Sequence, residues 1–99
     1  MATYLMLSRL TDEGRKTLKE RPGRVDAVNK EVEAMGARVT AQYALLGNYD
    51  FVSVIEAPSN EVIARISVEL GSRGTLEITT YPAMTAAAFA EMLQGGSAS

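Results

Sequence analysis

The 99-residue chain contains no cysteine, no histidine and no tryptophan. Without cysteine there is no disulfide framework, no thiolate nucleophile and no cysteine-ligated zinc or iron–sulfur site. Without histidine the commonest metal ligand and the commonest general base are both missing. Long apolar runs are missing too. The N-terminal stretch holds four consecutive apolar residues, Tyr4 to Leu7, before Ser8 and Arg9, which is too few for a secretory signal, and nothing approaches the roughly 20 residues of a membrane span. No G-x-G-x-x-G, Walker A, G-x-S-x-G or calcium-loop pattern occurs, so phosphate cofactors and serine hydrolysis have no motif behind them. Ten basic against twelve acidic residues give a net charge of -2, the wrong sign for a nucleic-acid binder. These absences lead to the expectation of a cytoplasmic protein with no metal, no cofactor and neither a nucleic-acid nor a membrane partner.

What is present is ordinary globular composition, 46% hydrophobic and 22% charged, in a length that makes one domain with a modest core. Tyr4 to Leu7 reads as a strand, and Thr11 as the cap of a helix whose first turn carries Asp12 and Glu13. That helix is interrupted at Pro22-Gly23 and resumes to about Met35, with Leu18, Val25, Val28, Val32 and Met35 on one stripe and Gly36 as its stop. Ala37 to Leu46 forms the second strand, with Val39, Ala41, Tyr43 and Leu45 on one face. Gly47-Asn48 reads as a two-residue hairpin turn into a third strand, Phe51 to Glu56. Ser59 caps a helix bearing Val62, Ile63, Ile66 and Leu70. Thr75 to Tyr81 is the fourth strand, and Met84 to Leu93 a short last helix.

The order β-α-β-β-α-β is met by a ferredoxin-like α+β fold: a four-stranded antiparallel sheet in the order 4-1-3-2, with two helices on one face and the terminal helix in addition. The domain spans 1–94, and 95–99 reads as a flexible tail. The two central strands are apolar on both faces, so the face without helices needs a cover. Either a second copy of the sheet or the terminal helix folding across would supply it, and a homodimer or higher homo-oligomer is expected.

The topology brings three segments to one edge of the sheet: Arg9 to Asp12, Gly47 to Asp50, and Gly71 to Gly74. Arg9, Tyr49, Asp50 and Arg73 are therefore the candidate residues for a small polar or anionic ligand. The competing structural reading has Gly47 and Asn48 making the turn and Asp50 accepting backbone N–H groups or pairing with Arg9 or Arg73. On the open sheet face, Tyr43, Tyr81, Gln42, Thr79 and Glu77 suit either a dimer interface or a cavity between facing sheets, and Tyr43 and Tyr81 join the candidate ligand-binding set. Six basic residues lie between 15 and 30, with Glu20–Arg24 and Asp26–Lys30 as i,i+4 pairs and Glu61–Arg65 on the next helix, the pattern of solvated faces. Asp50, Tyr49, Glu77 or a lysine are the groups left for acid–base chemistry. The five methionines read as core and interface filling.

Several stretches in order resemble the GYD family of small bacterial and archaeal proteins: the opening Met-Ala-Thr-Tyr, Leu10 to Gly14, Leu46-Gly47-Asn48-Tyr49-Asp50, Glu56-Ala57-Pro58, and Leu70 to Gly74 followed by Thr79-Thr80. The resemblance covers nearly the whole chain apart from the alanine-rich Thr85 to Ser99. It implies a ferredoxin-like subunit in a dimeric α/β barrel and carries no assigned activity. A homo-oligomeric small-molecule-binding or regulatory module is the leading expectation, leaning away from an enzyme. The alternatives are a cofactor-independent isomerase or oxygenase of the dimeric barrel type and a structural self-assembly unit.

Overall fold

The computed structural model of the chain describes residues 1–95. Its elements are β1 (Ala2–Leu10), α1 (Asp12–Glu20), α2 (Arg24–Ala34), β2 (Arg38–Ala44), β3 (Phe51–Ala57), α3 (Asn60–Gly71), β4 (Leu76–Ala83) and α4 (Ala86–Leu93). The strands form one antiparallel sheet in the order β2-β3-β1-β4, as the ferredoxin-like reading requires. Proline is tolerated in β4 because β4 is an edge strand.

Local chemistry sets the helix ends. The Thr11 hydroxyl accepts from Gly14 N–H at 3.1 Å and the Ser59 hydroxyl from Val62 N–H at 3.3 Å, each satisfying a donor that a helix start leaves free. Gly36, at φ 102°, takes the left-handed conformation that ends α2. The break at residues 21–23 separates α1 from α2, so the helical layer holds three helices where two are expected. It also puts Glu20 and Arg24 on different helices and removes that i,i+4 pair. Asp26–Lys30 does form, at 3.3 Å, whereas Glu61–Arg65 makes no ion pair among the described residues.

The core lies between the helices and the inner sheet face. Tyr4, Met6, Val32, Ile55, Ile63, Ile66 and Leu70 are buried there, and the Tyr4 hydroxyl donates to Asn60 Oδ1. Alternation fixes what each strand shows to the helices: Tyr4, Met6 and Ser8 from β1, Ser53 and Ile55 from β3, Ile78 and Thr80 from β4.

The second strand departs from the expected facing. A bulge at Thr40, between the pairs Val39–Ile55 and Ala41–Val54, inserts an extra residue, and the Thr40 hydroxyl donates to the Val54 carbonyl at 3.1 Å. An inserted residue reverses the alternation. Val39 and Gln42 therefore face the helices, while Ala41 and Tyr43 face outward. Gln42, expected on the open face, lies inside.

The hairpin is also longer than two residues. β2 ends at Ala44 and β3 begins at Phe51, leaving residues 45–50 as the connection. Gly47 does not adopt a positive φ and neither does Asn48. Leu45 N–H donating to the Asp50 carbonyl at 2.8 Å closes the loop instead, and Leu46 is fully exposed on it. The terminal helix α4, capped by the Thr85 hydroxyl, buries none of its residues. It does not fold across the sheet of its own chain. Gly95 closes it with a positive φ; the rest of the expected tail, 96–99, lies outside the described residues.

Candidate functional site

At the end of β1 three chain segments are tied together by hydrogen bonds. Asp50 N–H donates to the Ser8 carbonyl at 2.8 Å, and Leu10 N–H donates to the Asp50 carboxylate at 2.7 Å. Asp50 thus extends the β1–β3 ladder by one further rung, using its side chain where the strand backbone has ended. Arg9 lies beside it. Its Nε donates to the Asn48 carbonyl at 2.7 Å, its guanidinium carbon lies 5.1 Å from the centre of the Tyr49 ring, and its Nη1 is 3.7 Å from Glu77. The stacking of a guanidinium on a phenol face is a favourable cation–π arrangement. On the other side, Thr11 N–H donates to the Thr75 carbonyl at 3.1 Å and the Thr11 hydroxyl to the Gly74 carbonyl at 2.7 Å.

The structure therefore brings together Arg9, Tyr49 and Asp50, with Asn48 and Glu77. Arg73 is spent elsewhere. Its guanidinium donates bidentately to the Glu31 carboxylate at 2.8 and 2.9 Å and also to Glu69 at 3.1 Å, clamping α2 to α3. The bond from Arg73 holds the Glu31 carboxyl below its usual range, and the two carboxylates raise the Arg73 guanidinium.

Tyr43 and Tyr81 lie on the open face at opposite edges of the sheet, 64% and 48% exposed. The register arranges that face in rows across the four strands. One row is Ala41, Val54, Leu5 and Tyr81; the next is Tyr43, Val52, Leu7 and Thr79. Beyond them on one side are Arg38 and Glu56 with Thr3, and on the other Arg9 and Glu77. Two apolar rows bounded by charged ones make a patch with no helix over it.

The inner face carries a polar group that the residue pattern did not single out. Asn29 of α2 and Gln42 exchange side-chain hydrogen bonds at 2.8 and 3.2 Å, and Gln42 Nε2 also donates to the Ser53 hydroxyl at 2.9 Å. The available signal was Ser53 interrupting the apolar run from Phe51 to Ile55.

A family model described as GYD domain matches residues 4–93. The glutamine synthetase and cystathionine beta-lyase binding protein of Thermus thermophilus is 47% identical over 88 residues, covering 88% of this chain and 93% of that protein. Among solved structures, MtbAldR is similar with a TM-score of 0.62 at 18% identity over 85% of this chain. This chain spans about half of that one, 52%. TTHA0845, also from Thermus thermophilus, gives a TM-score of 0.54 at 23% identity, covering 87% of this chain and 96% of that one. At such identities the likeness to the two solved structures is one of fold.

Proposed function

The chain belongs to the GYD-domain family, and from that premise we propose that it is a homo-oligomeric, non-enzymatic module that acts by binding other proteins, with glutamine synthetase and cystathionine beta-lyase as the first candidates. The observation that carries this reading is the 47% identity, over 93% of its length, to a Thermus protein named for binding those two enzymes. The surface supports it. Two apolar rows on the open face, Leu46 on the 45–50 loop and the apolar residues Met84, Phe89, Met92 and Leu93 around α4 are all outward-facing, and contiguous exposed apolar surface marks interaction sites. Self-association through the open face would leave the loop edge and the helical layer free for another protein.

The test is co-elution. The purified chain is mixed with glutamine synthetase, and separately with cystathionine beta-lyase, from its own source organism, and run on a sizing column. A shift of the small chain into the fractions of either enzyme is expected. Failure to co-elute with both at tens of micromolar would overturn the reading.

A small polar or anionic ligand at the Arg9, Tyr49, Asp50 edge is the second reading. What favours it is that the Arg9 side chain stays 46% exposed while Asn48 and Tyr49 hold it in place.

A further inference from the structure

Between the inner face of the sheet and the α1–α2 pair the core is incompletely filled. A partly open cavity of about 110 Å³ lies there, on the side of the sheet away from the open face. Most of its wall is aliphatic, including Val28, Val32, Ile55 and Ile78. Into this apolar wall are set six neutral polar side chains, Ser8, Thr17, Asn29, Gln42, Ser53 and Thr75.

Their hydrogen bonding is only partly used up. Both N–H groups of the Gln42 amide are committed, to Asn29 and to Ser53. The Ser53 hydroxyl accepts in that bond, which leaves its own hydrogen to donate. Ser8 is 8% exposed, and among the described residues its hydroxyl makes no hydrogen bond. In the β1–β3 register Met6 faces Ser53 and Ser8 faces Phe51, so the two serines are diagonal neighbours on the same face. These hydroxyls open on the cavity and none is sealed away without a partner, so a ligand's polar head would take the place of water at them. An apolar wall with a few convergent polar groups is the composition of a small-molecule pocket.

We propose that this cavity binds a small neutral amphipathic molecule, an aliphatic amide or alcohol of about four to six carbons, which the volume admits. Its polar head meets Ser8 and Ser53, and its alkyl chain packs against Val28, Val32 and Ile78. Neutrality follows from the lining, which has no lysine and no acid, and whose one charged member, Arg24, stands in the first turn of α2. A carboxylate placed among the serines would lose its hydration with a single cation, Arg24, in the lining to offset it. The site does not use the open face; it borders the loop edge at Leu10 and Thr75.

The experiment is an NMR titration of the ¹⁵N-labelled full chain with butyramide, butan-1-ol and sodium butyrate, with xenon as a purely apolar probe. Butyramide and butanol are expected to shift the amides of Ser8, Val28 and Ser53 saturably, with butyrate at least about tenfold weaker. Ser8→Ala is expected to weaken butyramide about fivefold and leave xenon unchanged. Val28→Phe, which fills the cavity, should abolish all binding; should that variant fold poorly, the Ser8→Ala comparison decides alone. The proposal is overturned if butyramide and butanol give no saturable shift whatever xenon does, if butyrate binds best, if the shifts map to the open face, or if Ser8→Ala binds butyramide as well as the parent.

Discussion

Gly14 of α1 packs against the backbone of Thr75, just before β4, so closely that a Cβ at position 14 would lie 2.1 Å from the Thr75 carbonyl oxygen. That carbonyl also accepts from Thr11 N–H. The glycine is there for close approach rather than for a turn: it lets the first turn of α1 seat on the α3–β4 connection, which fixes the loop edge where Arg9 and Asp50 lie.

Gly14→Ala therefore sets two effects against each other. Helix propensity favours alanine by about 1 kcal/mol, but the clashing atom is backbone and cannot rotate away, so α1 must shift and break the Thr11 bonds. Overpacking of this kind costs about 1–3 kcal/mol, and a net loss is expected in urea denaturation. Equal or greater stability in the variant would show that α1 is free to slide.

Asp50→Ala removes the acceptor for Leu10 N–H at a half-buried position. Leaving that donor unpaired is expected to lower stability by about 1–3 kcal/mol. Asp50→Asn keeps an acceptor oxygen and should recover at least half of the loss. If instead Asp50→Ala melts like the parent protein, the carboxylate is not what holds the end of β1.

Much of this was legible from residue order. The βαββαβ order put β1 and β3 at the centre of the sheet, and the apolar residues on both faces of Tyr4–Leu7 and Phe51–Ile55 agree with that place. Pro22-Gly23 announced the break in the first helical segment. What stayed hidden depends on partners distant in sequence. Nothing around Thr40 signals a bulge, because the bulge exists only relative to β3, and without it Gln42 is assigned outward and the Asn29–Gln42–Ser53 group is invisible. Gly47-Asn48 carries the composition of a tight turn, yet the pairing of Asp50 with Ser8 and Leu10 draws the chain into a longer connection. Arg73 is near the expected edge in sequence, but two carboxylates, Glu31 and Glu69, pull its side chain to the helices.

The Arg73–Glu31 pair gives a pH signature. Because Arg73 holds the Glu31 carboxyl below its unfolded value of 4.5, folding binds fewer protons at this group. Its contribution is present above about pH 4.5 and is lost as pH falls through the lower folded value. Both side chains are partly solvated, 29% and 41% exposed, so the effect at pH 7 is about 0.5–1 kcal/mol. Glu31→Gln should show that loss at pH 7 and converge with the parent near pH 3. A constant difference between pH 7 and pH 3 in parallel urea titrations would rule out this ionic origin.

The open face yields the sharpest prediction about assembly. Leu5 and Val54 are paired at its centre, with Leu7 and Val52 beside them. A stable protein interface takes about 20–30 residues a side, whereas the two apolar rows supply eight. The rows alone fall short, so a self-association surface would have to extend past Tyr43 and Tyr81, and α4 offers four large apolar residues exposed in and beside it. Val54→Lys buries a charge at the centre of such an interface, and Phe89→Asp disrupts only its margin. Light scattering on the parent chain should give about twice 10.6 kDa or a higher multiple. Val54→Lys should give a single chain mass with unchanged far-ultraviolet dichroism, and Phe89→Asp a dimer weakened about tenfold or more. Val68→Lys is the control, since Val68 is 71% exposed on α3, on the other side of the sheet, and should leave the mass unaltered. A parent chain already monomeric at about 100 μM, far above the range of specific complexes, would remove the open face as a self-association surface. A dimer broken by Val68→Lys but not by Val54→Lys would move that surface to the helical layer.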